Sequence, residues 1–156
     1  MSLTAVAKSL YEEDYLLWLE TTLDQLKLRQ VEQIDWDNLV EEIEGLGIQL
    51  RHKVDSYLRQ LLIHLLLYRY WTTERENSGR GWRGEIGNFR DELENLLESK
   101  TLYNFFLTRI DLMYLKARRR AIDKTGLAAQ IFPENCPFSV AELLDPDFYP
   151  DAATTD

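Results

Sequence analysis

The strongest constraint on this chain is LLIHLLLYRYW, residues 61–71, the longest apolar run it contains. At about 100° per residue, Leu50, Val54, Tyr57, Leu61, His64, Tyr68 and Trp71 share one helical seam with alternating spacings of four and three. Up to Arg59 the other faces are polar, with Arg51 and Asp55. Beyond it Leu62, Leu65, Leu66 and Leu67 make the helix apolar all round, the pattern of a segment enclosed by neighbours. The most apolar stretch, Leu61–Tyr68, falls far short of the ~20 residues that cross a bilayer. It predicts a buried core helix and no membrane contact.

The same period recurs elsewhere. From about Glu12 to Leu28, Tyr15, Trp18, Leu19, Leu23 and Leu26 form a stripe opposite Glu13, Glu20, Asp24 and Lys27. Asp35 reads as the N-cap of a second helix, whose apolar face is Trp36, Leu39, Val40, Ile43 and Leu46. Gly45 and Gly47 predict a kink before the seam at Leu50 resumes, which makes one long helix. TERENSGRG, residues 73–81, reads as a turn, and a third helix is expected from Trp82 to Glu98, with Gly84 and Gly87 at close approaches to a neighbour. Ser99 or Thr101 opens a fourth, and Gly126 is its stop. All four prolines lie beyond it, where Ser139 caps a short helix.

No run alternates long enough for a sheet. The expected fold is all-α: an antiparallel bundle of about four main helices under a packed, irregular C-terminal tail. One domain over 1–156 is expected, with its core at about 10–126, the tail at 127–150 and a disordered end at 151–156. Ile131, Phe132, Phe138, Leu143, Leu144, Phe148 and Tyr149 make that tail too apolar to be loose.

A chain of 156 residues with 45% hydrophobic side chains can bury such a core without metal or disulfide staples. Cys136 stands alone, and the opening MSLTAVAKSLYEEDY lacks the apolar run of a signal peptide. Both point to a cytoplasmic protein. The net charge of −9 is uneven: −8 over residues 1–47, +5 over 48–124 and −6 over 125–156. Acidic segments docked on basic ones account for this without nucleic acid, which is therefore not an expected partner.

His64 is the first candidate for chemistry. A buried imidazole needs a donor and an acceptor, and a core histidine bonded to a carboxylate, a tyrosine or a backbone carbonyl is the preferred reading. His52 lies about 18 Å away along the axis and about 120° round it on a straight helix, so the two cannot share an ion. No metal site or cofactor is expected, and Glu41, Glu42 and Glu44 read as a solvated face. Arg59 and His64 together resemble the Arg-x4-His motif of HEPN-type ribonucleases, helical bundles in which that resemblance implies a histidine base and an arginine on the phosphate. With two histidines, three permitted spacings and 12 arginines in 156 residues, chance alone predicts about 0.46 such hits. Trp82 with Arg83 and Arg90 could stack and bind an anion, although a hydrophobic staple with solvated or acid-paired arginines is the simpler reading. Lys116, Arg118, Arg119, Arg120 and Lys124 suit the negative end of a helix, and Cys136 has no histidine nearby in sequence.

Five stretches together resemble one family: LYEEDYLLWLE at 10–20, IDWDNLVEEIEGLG at 34–47, LLIHLLLYRY at 61–70, GWRGEI at 81–86 and FPENCPFSVAELLDPDFYP at 132–150. The family is the domain of unknown function numbered twenty-nine, small bacterial proteins frequent in cyanobacteria. Gly81 stands where its members usually carry serine, and Phe138 where they carry tryptophan. The resemblance implies an all-helical cytoplasmic protein and brings no reaction with it. A non-enzymatic module that binds another protein or itself is the expected function, with a ribonuclease using Arg59 and His64 as the alternative.

Overall fold

Helical periodicity becomes helices almost throughout. The computed structural model describes residues 9–154 and contains α1 (Leu10–Glu13), α2 (Tyr15–Lys27), α3 (Trp36–Tyr70), α4 (Arg75–Leu97), α5 (Lys100–Thr125) and α6 (Val140–Leu144). Short 3₁₀ turns occur at Val31–Gln33 and Ala129–Ile131, and no strand occurs among the described residues. The protein is all-α with four long helices. The contacts divide the chain into two compact units, Met1–Ile48 and Gln49–Asp156.

The helix α3 contributes to both units and runs unbroken for 35 residues, through Gly45 and Gly47. Each interior glycine costs about 1 kcal/mol relative to alanine. Their neighbours Leu46, Ile48 and Leu50 continue the helical pattern, and no proline removes a backbone donor.

In the first unit, Asp14 caps α2 by accepting from the Leu17 amide at 3.1 Å. Asp35 caps α3, accepting from the Asn38 amide at 3.3 Å and from its side chain at 2.7 Å. Among the described residues here, only Trp18, Thr22 and Ile34 are buried. The stripes expected to face a core are open instead: Leu23 is 49% exposed, and Ile43 and Leu46 are each 60% exposed.

In the second unit, Trp71 stacks on Trp82 and His64 lies against Phe89, so α3 and α4 run antiparallel. Arg51 lies over the Phe105 ring and Asp55 pairs with Arg109 at 2.8 Å, one turn on along both helices, so α5 runs parallel to α3. The core is Val54, Leu58, Leu61, Leu62, Leu65 and Leu66 packed with Ile86, Leu93, Phe106 and Ala117. Ser99 caps α5 and Gly126, at φ 67°, ends it, as read from the sequence.

The turn expected at 73–81 is mostly helix, because α4 begins at Arg75 and only residues 71–74 connect it to α3. Packing outweighs the weak propensity of Asn77, Ser78, Gly79 and Gly81. Gly79 is buried, and a Cβ there would meet the Arg75 stem at 3.3 Å and the Tyr68 ring at 3.7 Å. Gly84 and Gly87, expected at close approaches, have no such neighbour within 4 Å.

The tail packs as its composition requires. Phe132, Phe138 and Leu143 are buried, with Leu144, Phe148 and Tyr149 partly so, whereas Ile131 is exposed. Arg90 donates to the carbonyls of Leu143, Phe148 and Glu142 at 2.9, 2.7 and 2.9 Å. Arg118 holds the carbonyls of Phe132 and Ala129. Of the end expected to be disordered, residues 155 and 156 lie outside the described residues, while the Ala153 amide donates to the Arg69 carbonyl at 2.8 Å.

Candidate functional site

The open stripes of the first unit form a groove. Leucines at 19, 23 and 26 line one wall from α2, and Leu39, Ile43 and Leu46 line the other from α3. Spacings of three and four keep each wall on one helical face. Between them is an almost wholly apolar space of about 450 Å³, with Trp18 and Thr22 in its lining.

One polar anchor is built into the wall. Glu42 accepts hydrogen bonds from the phenols of Tyr11 and Tyr15, one on each carboxylate oxygen. Those bonds hold its carboxyl below the usual carboxylate range. The same bond to Glu42 pushes the Tyr11 phenol up to about 12, and Tyr15 shifts upward for the same reason. The rings of Tyr11, Tyr15 and Trp18 pack on one another, with Tyr11 edge-on to Trp18 at 4.9 Å.

Sequence reading placed the side chains of this groove but not their exposure. One signal was available: α2 carries Leu16 and Leu17 beside the stripe of Leu19 and Leu23, more apolar surface than one buried face needs.

The residues singled out from the sequence lie elsewhere. His64 is half-buried at the margin of the core, its Nδ1 2.7 Å from the Gln60 carbonyl and its ring 5.2 Å from that of Phe89. A carbonyl only accepts, so Nδ1 carries the proton. Burial lowers the imidazole's pKa, opposed by that hydrogen bond, and the ring is neutral at pH 7. Arg59 and His64 are not brought together: five residues on one helix set them about 140° apart. Arg59 instead lines a basic groove with Lys116, Arg119, Arg120 and Asp123.

Trp82 is buried against Trp71, within α4 rather than at its start. Arg83 lies 3.8 Å over the Tyr149 ring and donates to the Tyr68 hydroxyl at 3.4 Å. With Arg90 on three tail carbonyls, the two arginines form a seat for the tail. Cys136 is half-buried, and burial raises its thiol's pKa. Among the described residues no three His, Cys, Asp or Glu side chains are grouped to hold a metal, and no helix is long and apolar enough to cross a membrane.

Fold and site together define an all-helical protein whose distinctive surface is an open apolar groove with a fixed carboxylate in its wall. The chain belongs to the family described as domain of unknown function DUF29, whose model matches residues 10–149 and so spans all six helices. No curated protein and no solved structure matches it.

Proposed function

We propose that this chain is a non-enzymatic interaction module that binds another protein through the groove between α2 and the first turns of α3. One observation carries the reading: Leu19, Leu23, Ile43 and Leu46 of these two stripes stand exposed around the groove, beside the half-buried Leu26 and Leu39. Apolar surface left in water forgoes about 25 cal/mol per Å², and contiguous patches of this kind mark interaction sites on soluble proteins. The side chains that resemble a ribonuclease motif lie on different faces of α3, which adds nothing to the catalytic alternative.

The test compares the wild-type chain with a Leu23→Asp, Ile43→Asp double variant in quantitative capture from the source cell. Both positions are exposed, so helix content by circular dichroism should be unchanged. Protein partners held by the wild type should be lost from the variant. Equal capture by the two, or RNA cleavage that disappears in His64→Ala and Arg59→Ala, would overturn the proposal.

A further inference from the structure

The walls of the groove are apolar, but its lining includes two carboxylates, Glu20 and Glu42, and the segment that builds it is strongly acidic. Residues 9–48 hold eleven acidic side chains against two basic ones, Lys27 and Arg29. Asp14 and Asp35 are used as helix caps. Glu13, Glu20, Asp24, Glu41 and Glu44 are exposed. The one ion pair among the described residues joins Arg109 to Asp55, so none of the carboxylates in 9–48 has a cationic partner there. Glu42 adds a carboxylate with a fixed direction, since both of its oxygens are held by phenols and neither is neutralised.

This pattern bears on who can occupy the groove. A second copy meeting it by two-fold symmetry would set the same acidic face against itself. Like charges brought together at an interface repel, and they select against that partner. A helix laid into the groove would meet apolar walls along its middle and the carboxylates of Glu20 and Glu42 beside them, which is the recognition mode of an amphipathic helix in a groove.

The geometry points to a cationic amphipathic helix of a partner protein as the occupant, its apolar face on Leu19, Leu23, Leu39 and Ile43 and its lysines or arginines on Glu42 and Glu20. This rests on the interaction module proposed above and names its partner's chemistry. The apolar face supplies attraction that salt leaves intact, and the charged margins supply orientation and a salt-dependent gain.

The test titrates the full chain with labelled peptides by fluorescence anisotropy. The first peptide places leucines on one helical face and lysines on the other. The second keeps the leucines and replaces lysine by glutamate, and the third scrambles the order of the first. The first should bind, with the other two at least about tenfold weaker. Glu42→Gln should weaken the first about three- to tenfold, and Glu20→Gln should reduce the salt dependence. Ile43→Glu adds negative charge, so it would strengthen nonspecific attraction to a cation, whereas a seated helix should be lost.

Equal binding of the lysine and glutamate peptides overturns the inference while leaving the module intact. So does sedimentation showing a dimer that Leu23→Asp dissociates, since the occupant is then a second copy. Failure of all three peptides overturns the inference as well. If capture from the cell is also indifferent to Leu23→Asp and Ile43→Asp, the module itself falls.

Discussion

Arg90 offers the sharpest test of how the second unit holds together. The residue is 4% exposed, and its guanidinium spends one N–H on each of three tail carbonyls, at Leu143, Phe148 and Glu142. Replacing it with methionine keeps most of the stem's packing and removes all three donors. A buried hydrogen bond from a charged donor contributes about 1.5–3 kcal/mol, so a simple sum is about 4.5–9 kcal/mol. Two effects reduce that sum. The guanidinium loses its own hydration, as its downward pKa shift on burial records, and a loosened tail lets some of the carbonyls reach water. A net loss of about 3–4 kcal/mol follows for Arg90→Met, or roughly 10 °C in Tm for a chain of this size. Arg90→Lys keeps the charge without the planar fork and should recover less than half of the loss. Paired urea denaturation and limited proteolysis read both the stability and the release of the tail. An Arg90→Met midpoint within about 0.5 kcal/mol of wild type, with the tail cleaved no faster, would refute the reasoning.

Three further outcomes are expected. Gly84→Ala and Gly87→Ala add a methyl to open space in the middle of α4, so each should stabilise by about 0.5–1 kcal/mol in denaturation, whereas Gly79→Ala meets the Arg75 stem at 3.3 Å and should not share that gain. His64→Ala should destabilise by about 1–2 kcal/mol, with part recovered in His64→Gln; the lowered pKa of the imidazole makes its contribution full above the unfolded value near 6.5 and lost as pH falls through the folded one, which a stability–pH series on wild type and His64→Gln would show. The phenol of Tyr11, raised to about 12, favours its protonated form in the folded chain, so its contribution should hold below pH 10 and vanish by about pH 12, while the lowered Glu42 loses its contribution as pH falls below 4.5; comparing wild type with Tyr11→Phe by circular dichroism at both ends of the scale checks the signs.

Much of this molecule is local, and the sequence alone determines what is local. The period of Leu61–Tyr68, the Asp35 and Ser99 caps and the Gly126 stop follow from backbone sterics and side-chain oxygens acting within a few residues. The apolar character of the tail likewise required that it pack. Tertiary structure decided the rest. Residues 75–81 read as a turn because glycine, serine and asparagine favour turns in isolation, yet the Tyr68 ring gives Arg75 and Gly79 a surface to pack on, and the segment becomes helix. Arg90 reads as a solvated or ligand-binding cation until the carbonyls of Leu143, Phe148 and Glu142, more than fifty positions away, are seen to converge on it. The groove is the clearest case. Periodicity shows that Leu23 and Ile43 lie on apolar faces, but an apolar face has the same period whether a neighbour covers it or water does, and only the folded chain leaves these two open.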